Sequence, residues 1–196
     1  MAKVRRTGPG ALALLVGLSL LLAACGGPAG SLQDPRLEVL EDMRRLGLPP
    51  EVIATYGEAL ESLGPRLAPQ GTGDLQLVQA IALGSVPHYE AYYARRQDYP
   101  QFDWSRDGCS APEGLGLGYR ETFRPACNVH DFGYRNFPRF PELYNERGRR
   151  LADDNFLVNM NAICRPMGLV NRAACYSAAH AYYWAVRAFG GGHFYR

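Results

Sequence analysis

The sequence predicts an all-α domain stapled by disulfides, with two antiparallel core helices that carry a histidine and an aspartate facing each other. Three observations lead there. The stretch Cys127-Asn128-Val129-His130-Asp131-Phe132-Gly133-Tyr134-Arg135-Asn136, read as a helix, sets Cys127, His130, Asp131 and Tyr134 on one face, because residues three and four apart are neighbours. Further along, Asp153, Phe156, Leu157, Met160 and Cys164 follow the alternating three-and-four step of an inward stripe. Asp153 is a carboxylate in line with core residues. Buried carboxylates need a partner, and a histidine on the facing helix supplies one. Turn residues separate amphipathic stretches throughout, and no sustained alternation marks strands.

The elements follow in order. Asp34-Pro35 opens a helix through Arg45, with Leu37, Leu40 and Met43 on one side, and Gly47-Leu48-Pro49-Pro50 stops it. Pro50 starts a second helix through Leu63, ended by Gly64-Pro65. A loop from Ala68 to Gly73 precedes a third, Asp74 to Leu83. Pro87 begins a fourth, whose Tyr89, Tyr92 and Tyr93 are read as core in preference to an interfacial belt. The histidine helix is expected from Ala126 to Asn136. The aspartate helix starts at Glu142 or Asn145 and reaches Ile163. A last helix from Asn171 to Phe189 shows Cys175, Ala178, Tyr182, Val186 and Phe189 on one side and closes at Gly190-Gly191-Gly192.

The N-terminus reads as an address. Lys3, Arg5 and Arg6 form a basic region, and the apolar run from Ala11 to Ala24 is short for a spanning helix. Leu22-Ala23-Ala24-Cys25 resembles the bacterial lipobox, in which the cysteine is diacylated and becomes the new N-terminus; Gly26-Gly27-Pro28-Ala29-Gly30 follows as a flexible tether. Residues 1–24 are therefore expected to be a lipoprotein signal, residues 25–33 the lipidated Cys25 and its tether, 34–70 a helical extension, and 71–196 the domain that carries the histidine and aspartate helices. The product is exported and held by lipid at the cell envelope. Removing residues 1–24 takes three basic groups and no acid, so the formal charge of +2 becomes +2 − 3 = −1. The mature chain then lacks the basic balance of a nucleic-acid partner. Five cysteines less Cys25 leave Cys109, Cys127, Cys164 and Cys175, which in an exported chain read as two disulfides with three connectivities.

Upstream of the histidine helix, Trp104-Ser105-Arg106-Asp107-Gly108-Cys109 offers a second thiol and a second carboxylate. If Cys109 pairs with Cys127, Asp107 and the Gly108 carbonyl are drawn over the helix that carries Asp131. Oxygen ligands beside a histidine are calcium chemistry next to a general base.

Together these residues resemble the secreted phospholipase A2 of bacterial and fungal type. The resemblance runs from about Tyr89 to Phe189 and rests on Phe102-Asp103-Trp104-Ser105-Arg106-Asp107-Gly108-Cys109, on the Ala126–Asn136 segment, on Asp153 three before Phe156, and on Tyr182-Tyr183-Trp184-Ala185-Val186. It implies that His130 is the general base and Asp153 the carboxylate that orients it. Asp107, the Gly108 carbonyl and Asp131 match its calcium ligands, although Gly108 is smaller than the residue expected there. The pairing that fits is Cys109–Cys127 with Cys164–Cys175. The implied reaction is calcium-dependent hydrolysis of the sn-2 ester of glycerophospholipids at a phospholipid membrane surface by a monomer. Asp154 stands beside Asp153, and Asp154→Asn is expected to matter little to the activity. Two other readings compete: an exported helical lipoprotein that only binds a partner, with His130 a core histidine, and a metal phosphohydrolase. For the latter, only His88, His180 and His193 remain as ligands, in no convincing pattern. No Gly-x-Ser-x-Gly elbow is present, which argues against a serine esterase.

Overall fold

The computed structural model describes residues 34–65, 73–109 and 118–196. Cys25, the signal, the tether and most of the loop from Ala68 lie outside the described residues. Every regular element among the described residues is helical: α1 (Pro35–Arg45), α2 (Pro50–Leu63), α3 (Asp74–Ala82), α4 (Val86–Tyr93), α5 (Arg120–Asn136), α6 (Glu146–Cys164), α7 (Leu169–Phe189) and α8 (Gly191–Phe194), with short 3-10 turns at Arg96–Asp98 and Phe137–Arg139. No described helix is long and apolar enough to cross a membrane.

Local chemistry explains the boundaries. Prolines open α1 and α2, where a missing N–H costs nothing. The Asp34 side chain caps α1 through Arg36 N at 3.0 Å, and Asn145 caps α6 through Gly148 N at 3.0 Å. α5 begins six residues before the expected Ala126. Pro125 looks like a start signal, but it lies inside the helix, one turn past its beginning. The carbonyl it frees belongs to the exposed Glu121, and burial of Phe123 against Tyr182, with ring centroids 5.3 Å apart, holds the extra turn.

Two apolar clusters form the interior of the compact unit Gln33–Arg196. One joins α1, α2, the first half of α5, α6 and α7 through Met43, Tyr56, Phe123, Phe156, Met160 and Tyr176. The other joins α3, α4 and the second half of α5 through Ile81, Tyr89, Phe102, Phe132 and Phe137, with Ala152 of α6 and Phe194 of α8. Residues 34–63 thus share a core with the helices of the second half. α5 and α6 run antiparallel through both clusters and approach closely at Gly133, where a Cβ would come within 3.3 Å of the Ala152 side chain. Disulfides join Cys109 to Cys127 and Cys164 to Cys175, the second tying α6 to the antiparallel α7.

Two expected stripes are corrected. On α1, Met43 is buried as expected and Leu40 packs partly buried against the core, but Leu37 is half exposed, and Arg36, Val39 and Asp42 face inward beside Met43. The polar pair is admitted because its partners are built in: Arg36 reaches Asp34 and the Gly64 carbonyl, while Asp42 pairs with Arg172 at 2.9 Å and accepts from the Tyr176 hydroxyl at 3.0 Å. On α7, Phe189 is 68% exposed, while the last turn of the helix is held through polar contacts, Arg149 to the Val186 carbonyl and Arg187 to Glu146. Tyr89 is core, with Tyr92 and Tyr93 half-buried beside it.

Candidate active site

α5 and α6 bring His130 and Asp153 together in the interior. His130 Nε2 lies 2.8 Å from Asp153 Oδ1, with His130 9% and Asp153 0% exposed. A carboxylate only accepts, so this contact places the imidazole proton on Nε2 and leaves the lone pair on Nδ1. The ring is held between Tyr134 and Phe156, at centroid distances of 4.1 and 4.7 Å. Asp153 is held from three further sides. Tyr134 donates its hydroxyl to Oδ1 at 2.7 Å, Arg187 Nη1 reaches Oδ2 at 2.7 Å, and Arg149 Nη1 stands 3.6 Å from the same oxygen. A fully buried carboxylate is thereby supplied with both hydrogen bonds and opposite charge.

The second cluster sits where the loop before Cys109 crosses α5. The Cys109–Cys127 bridge, with Cα atoms 5.3 Å apart, fixes that crossing, and Gly108 turns the chain at φ +70°. Asp107 and Asp131 meet there. Burial, reinforced by the Asp107 carboxyl, pushes Asp131 up to about 7, whereas a hydrogen bond from Arg135 holds Asp107 below its ordinary value. Arg135 Nη2 lies 2.7 Å from Asp107 Oδ1. Asp131 Oδ2 is buried with no hydrogen-bond partner among the described residues. Among the described residues no three histidine, cysteine or acidic side chains converge on one point, so this is a pair of carboxylates.

Asp154, whose exchange for Asn is expected to matter little to turnover, is well partnered inside the protein. It is fully buried, accepts from the Tyr183 hydroxyl at 2.9 Å and lies 3.5 Å from Arg150 Nε. One residue further round α6 than Asp153, it faces α7 as a packing carboxylate. The sequence reading missed Tyr134, Arg149 and Arg187 as partners of Asp153. Two carried a signal: Tyr134 follows His130 by four, and Arg149 precedes Asp153 by four, both spacings that put side chains side by side on a helix. Arg187 is distant in sequence and announced itself by nothing.

Comparison with known proteins follows this geometry. A family model described as prokaryotic phospholipase A2 matches residues 80–190, more than half of the chain. The chain is 33% identical over 99 residues to a secretory phospholipase A2 of Beauveria bassiana (strain ARSEF 2860), covering 50% of each protein. It is 35% identical over 96 residues to a secretory phospholipase A2 of Arthroderma benhamiae (strain ATCC MYA-4681 / CBS 112371), covering 47% of this chain and 63% of that one. To conodipine-P2 of Conus purpurascens it is 41% identical over 69 residues, 35% of this chain and 34% of the other. The chain spans about half the length of the curated relatives it matches. With the matched segment running from α3 to the end of α7 and containing both the histidine–aspartate pair and the paired carboxylates, the chain belongs to the prokaryotic phospholipase A2 family.

Proposed function

We propose that this protein hydrolyses the sn-2 acyl ester of glycerophospholipids, with His130 as general base and Asp153 as its orienting carboxylate. The observation that carries the reading is the 2.8 Å contact between His130 Nε2 and a fully buried, twice-paired Asp153. Nδ1 is then the ring nitrogen that takes a proton from water as the water attacks the ester carbonyl. Asp153 fixes the tautomer and stabilises the imidazolium that forms, and Nδ1 returns the proton to the leaving lysophospholipid alkoxide. Tyr134 and Phe156 keep the ring from turning away. No nucleophilic side chain is needed.

Calcium fits the residues present. Asp131 carries an orphaned buried oxygen and is crowded against Asp107, whose own partner Arg135 leaves that oxygen unmet, and hard oxygen donors suit this ion. Asp107, Asp131 and the Gly108 carbonyl would hold it with waters. When bound it supplies positive charge for the substrate phosphate and the developing oxyanion.

Export and anchoring belong to the same proposal. Cys25 is the lipidated residue, and the relatives named as secretory proteins support export. The protein acts at a phospholipid surface as a monomer.

The test is release of fatty acid from vesicles of phospholipid labelled at one ester at a time, with and without chelator. His130→Ala should lose nearly all turnover, and Asp131→Asn should lose the calcium-dependent activity while keeping its helical content. A His130→Ala protein with wild-type turnover would end the enzyme reading, and full activity in excess chelator would remove calcium from it.

A further inference from the structure

The partners of Asp153 reach well beyond the histidine. Its Oδ1 receives His130 Nε2 and the Tyr134 hydroxyl at 2.8 and 2.7 Å, while its Oδ2 receives Arg187 Nη1 at 2.7 Å. Arg187 is itself fixed: its other terminal nitrogen pairs with Glu146, and its side chain is only 16% exposed. Arg149 completes the frame. It bonds Glu146 Oε2 at 3.0 Å and grips the carbonyls of Val186 and Arg187, each at 3.3 Å from Nη1. A chain of alternating charge thus runs inward from Glu146, 59% exposed, to Asp153, which is fully buried. The four charges sum to zero, so the buried end is compensated without drawing on the histidine. Both prongs of Arg187 are engaged inside the protein, which leaves none for a lipid phosphate.

We propose that Arg187, backed by Arg149, is a positioning residue for the dyad: it occupies Oδ2 of Asp153 and so keeps Oδ1 turned to His130. This rests on the phospholipase reading. Without Arg187 the carboxylate can rotate and share both oxygens between Tyr134 and His130. The imidazole then loses its single orientation, and misplacement of a catalytic group by about 1 Å costs on the order of 100-fold in rate.

The experiment compares four full-length proteins on phospholipid vesicles: wild type, Arg187→Gln, Asp153→Asn and the double variant. Arg187→Gln should lose about 10–100-fold in kcat with KM within about twofold, the signature of an interaction made through the transition state. The double variant should be no slower than Asp153→Asn alone, because Arg187 acts through Asp153. Equal loss in both backgrounds, or a rise in KM with kcat unchanged, overturns the proposal. If Arg187→Gln does not fold, Arg187→Lys carries the test: its single ammonium can face Oδ2 but cannot also hold Glu146, so kcat should fall between those of wild type and Asp153→Asn with KM within about twofold, and a rise in KM with kcat unchanged overturns the proposal. Wild-type activity is scored first. An inactive wild type sinks the phospholipase reading and leaves the His130 tautomer, read by nitrogen NMR, as the measure of Arg187. Nε2–H in wild type and a mixture in Arg187→Gln is expected; one tautomer in both overturns the positioning role.

Discussion

Replacing Asp154 by alanine takes the acceptor from the Tyr183 hydroxyl, which donates to it at 2.9 Å in a position where Tyr183 is 5% and Asp154 0% exposed. A buried hydroxyl left without a partner costs about 1–3 kcal/mol. The lost ion pair with Arg150 adds about 0–1 kcal/mol, since that guanidinium is 46% exposed and screened by solvent. At roughly 2–4 °C per kcal/mol for a domain of this size, Asp154→Ala should lower Tm by about 5–10 °C. Asp154→Asn separates charge from shape. Its carbonyl still accepts from Tyr183, and it removes a charge whose burial raises the carboxyl above its ordinary value of 3.8. For an acid with a raised folded-state pKa, the stabilising contribution is complete below the unfolded value and is lost as pH rises through the folded one. Asp154→Asn should therefore gain on wild type as pH rises above about 4. Thermal unfolding followed by far-UV circular dichroism at pH 4 and pH 7, alongside vesicle turnover, reads both effects. Turnover should stay within about threefold in each variant. An Asp154→Ala protein with unchanged Tm, or with turnover as poor as Asp153→Asn, refutes the assignment of packing to one aspartate and chemistry to the other.

Three further outcomes follow. Replacing Cys164 and Cys175 by serine should cost about 3 kcal/mol in the chain-entropy model, leaving turnover intact below the lowered Tm; replacing Cys109 and Cys127 should also erase the calcium response, because Asp107 loses its tether, and peptide mapping under non-reducing conditions checks the parent pairing. Glu146 is held down to about 2 by hydrogen bonds from Arg149 and Arg187, so wild type should lose stability as pH falls from about 4.5 to about 2, and Glu146→Gln should flatten that acid limb in thermal scans. Cys25→Ser should move the protein from the membrane fraction to the soluble fraction, and mass spectrometry should find diacyl groups on wild-type Cys25; an unmodified N-terminus at another residue refutes the anchor.

Much of this was legible in the sequence, for identifiable reasons. Helices bounded by proline, asparagine or aspartate caps were found to within a residue or two, because caps are local chemistry. Asp153 stood out since an acid in an apolar stripe demands a partner. The failures share a cause as well. Leu37 and Phe189 were placed inward because periodicity ranks residues by hydrophobicity, whereas Asp42 and Asp154 are buried by partners on other helices, distant in sequence, and Arg36 by the adjacent Asp34 together with the distant Gly64 carbonyl. Asn155 and Asn159 are another case: their amides donate to the carbonyls of Ala82 and Gly84 at 2.9–3.1 Å and finish the end of α3, a tertiary cap that no local pattern encodes. Arg187 belongs to the same class.

Residues Ala152 to Asn161 of α6 are buried without interruption, and the helix contributes to both apolar clusters. Its amides should exchange with deuterated water only when the whole unit opens, while α4, with Tyr89 alone fully buried, should open locally. Asp153 is therefore expected to ride on a slow-opening segment. Asp107 sits on a loop outside any helix, secured chiefly by the neighbouring disulfide and Arg135. On warming, the two halves of the site should part company: the loop carrying Asp107 loosens first, at a free energy below that of global unfolding, while the histidine and its aspartate stay in register until the entire fold gives way.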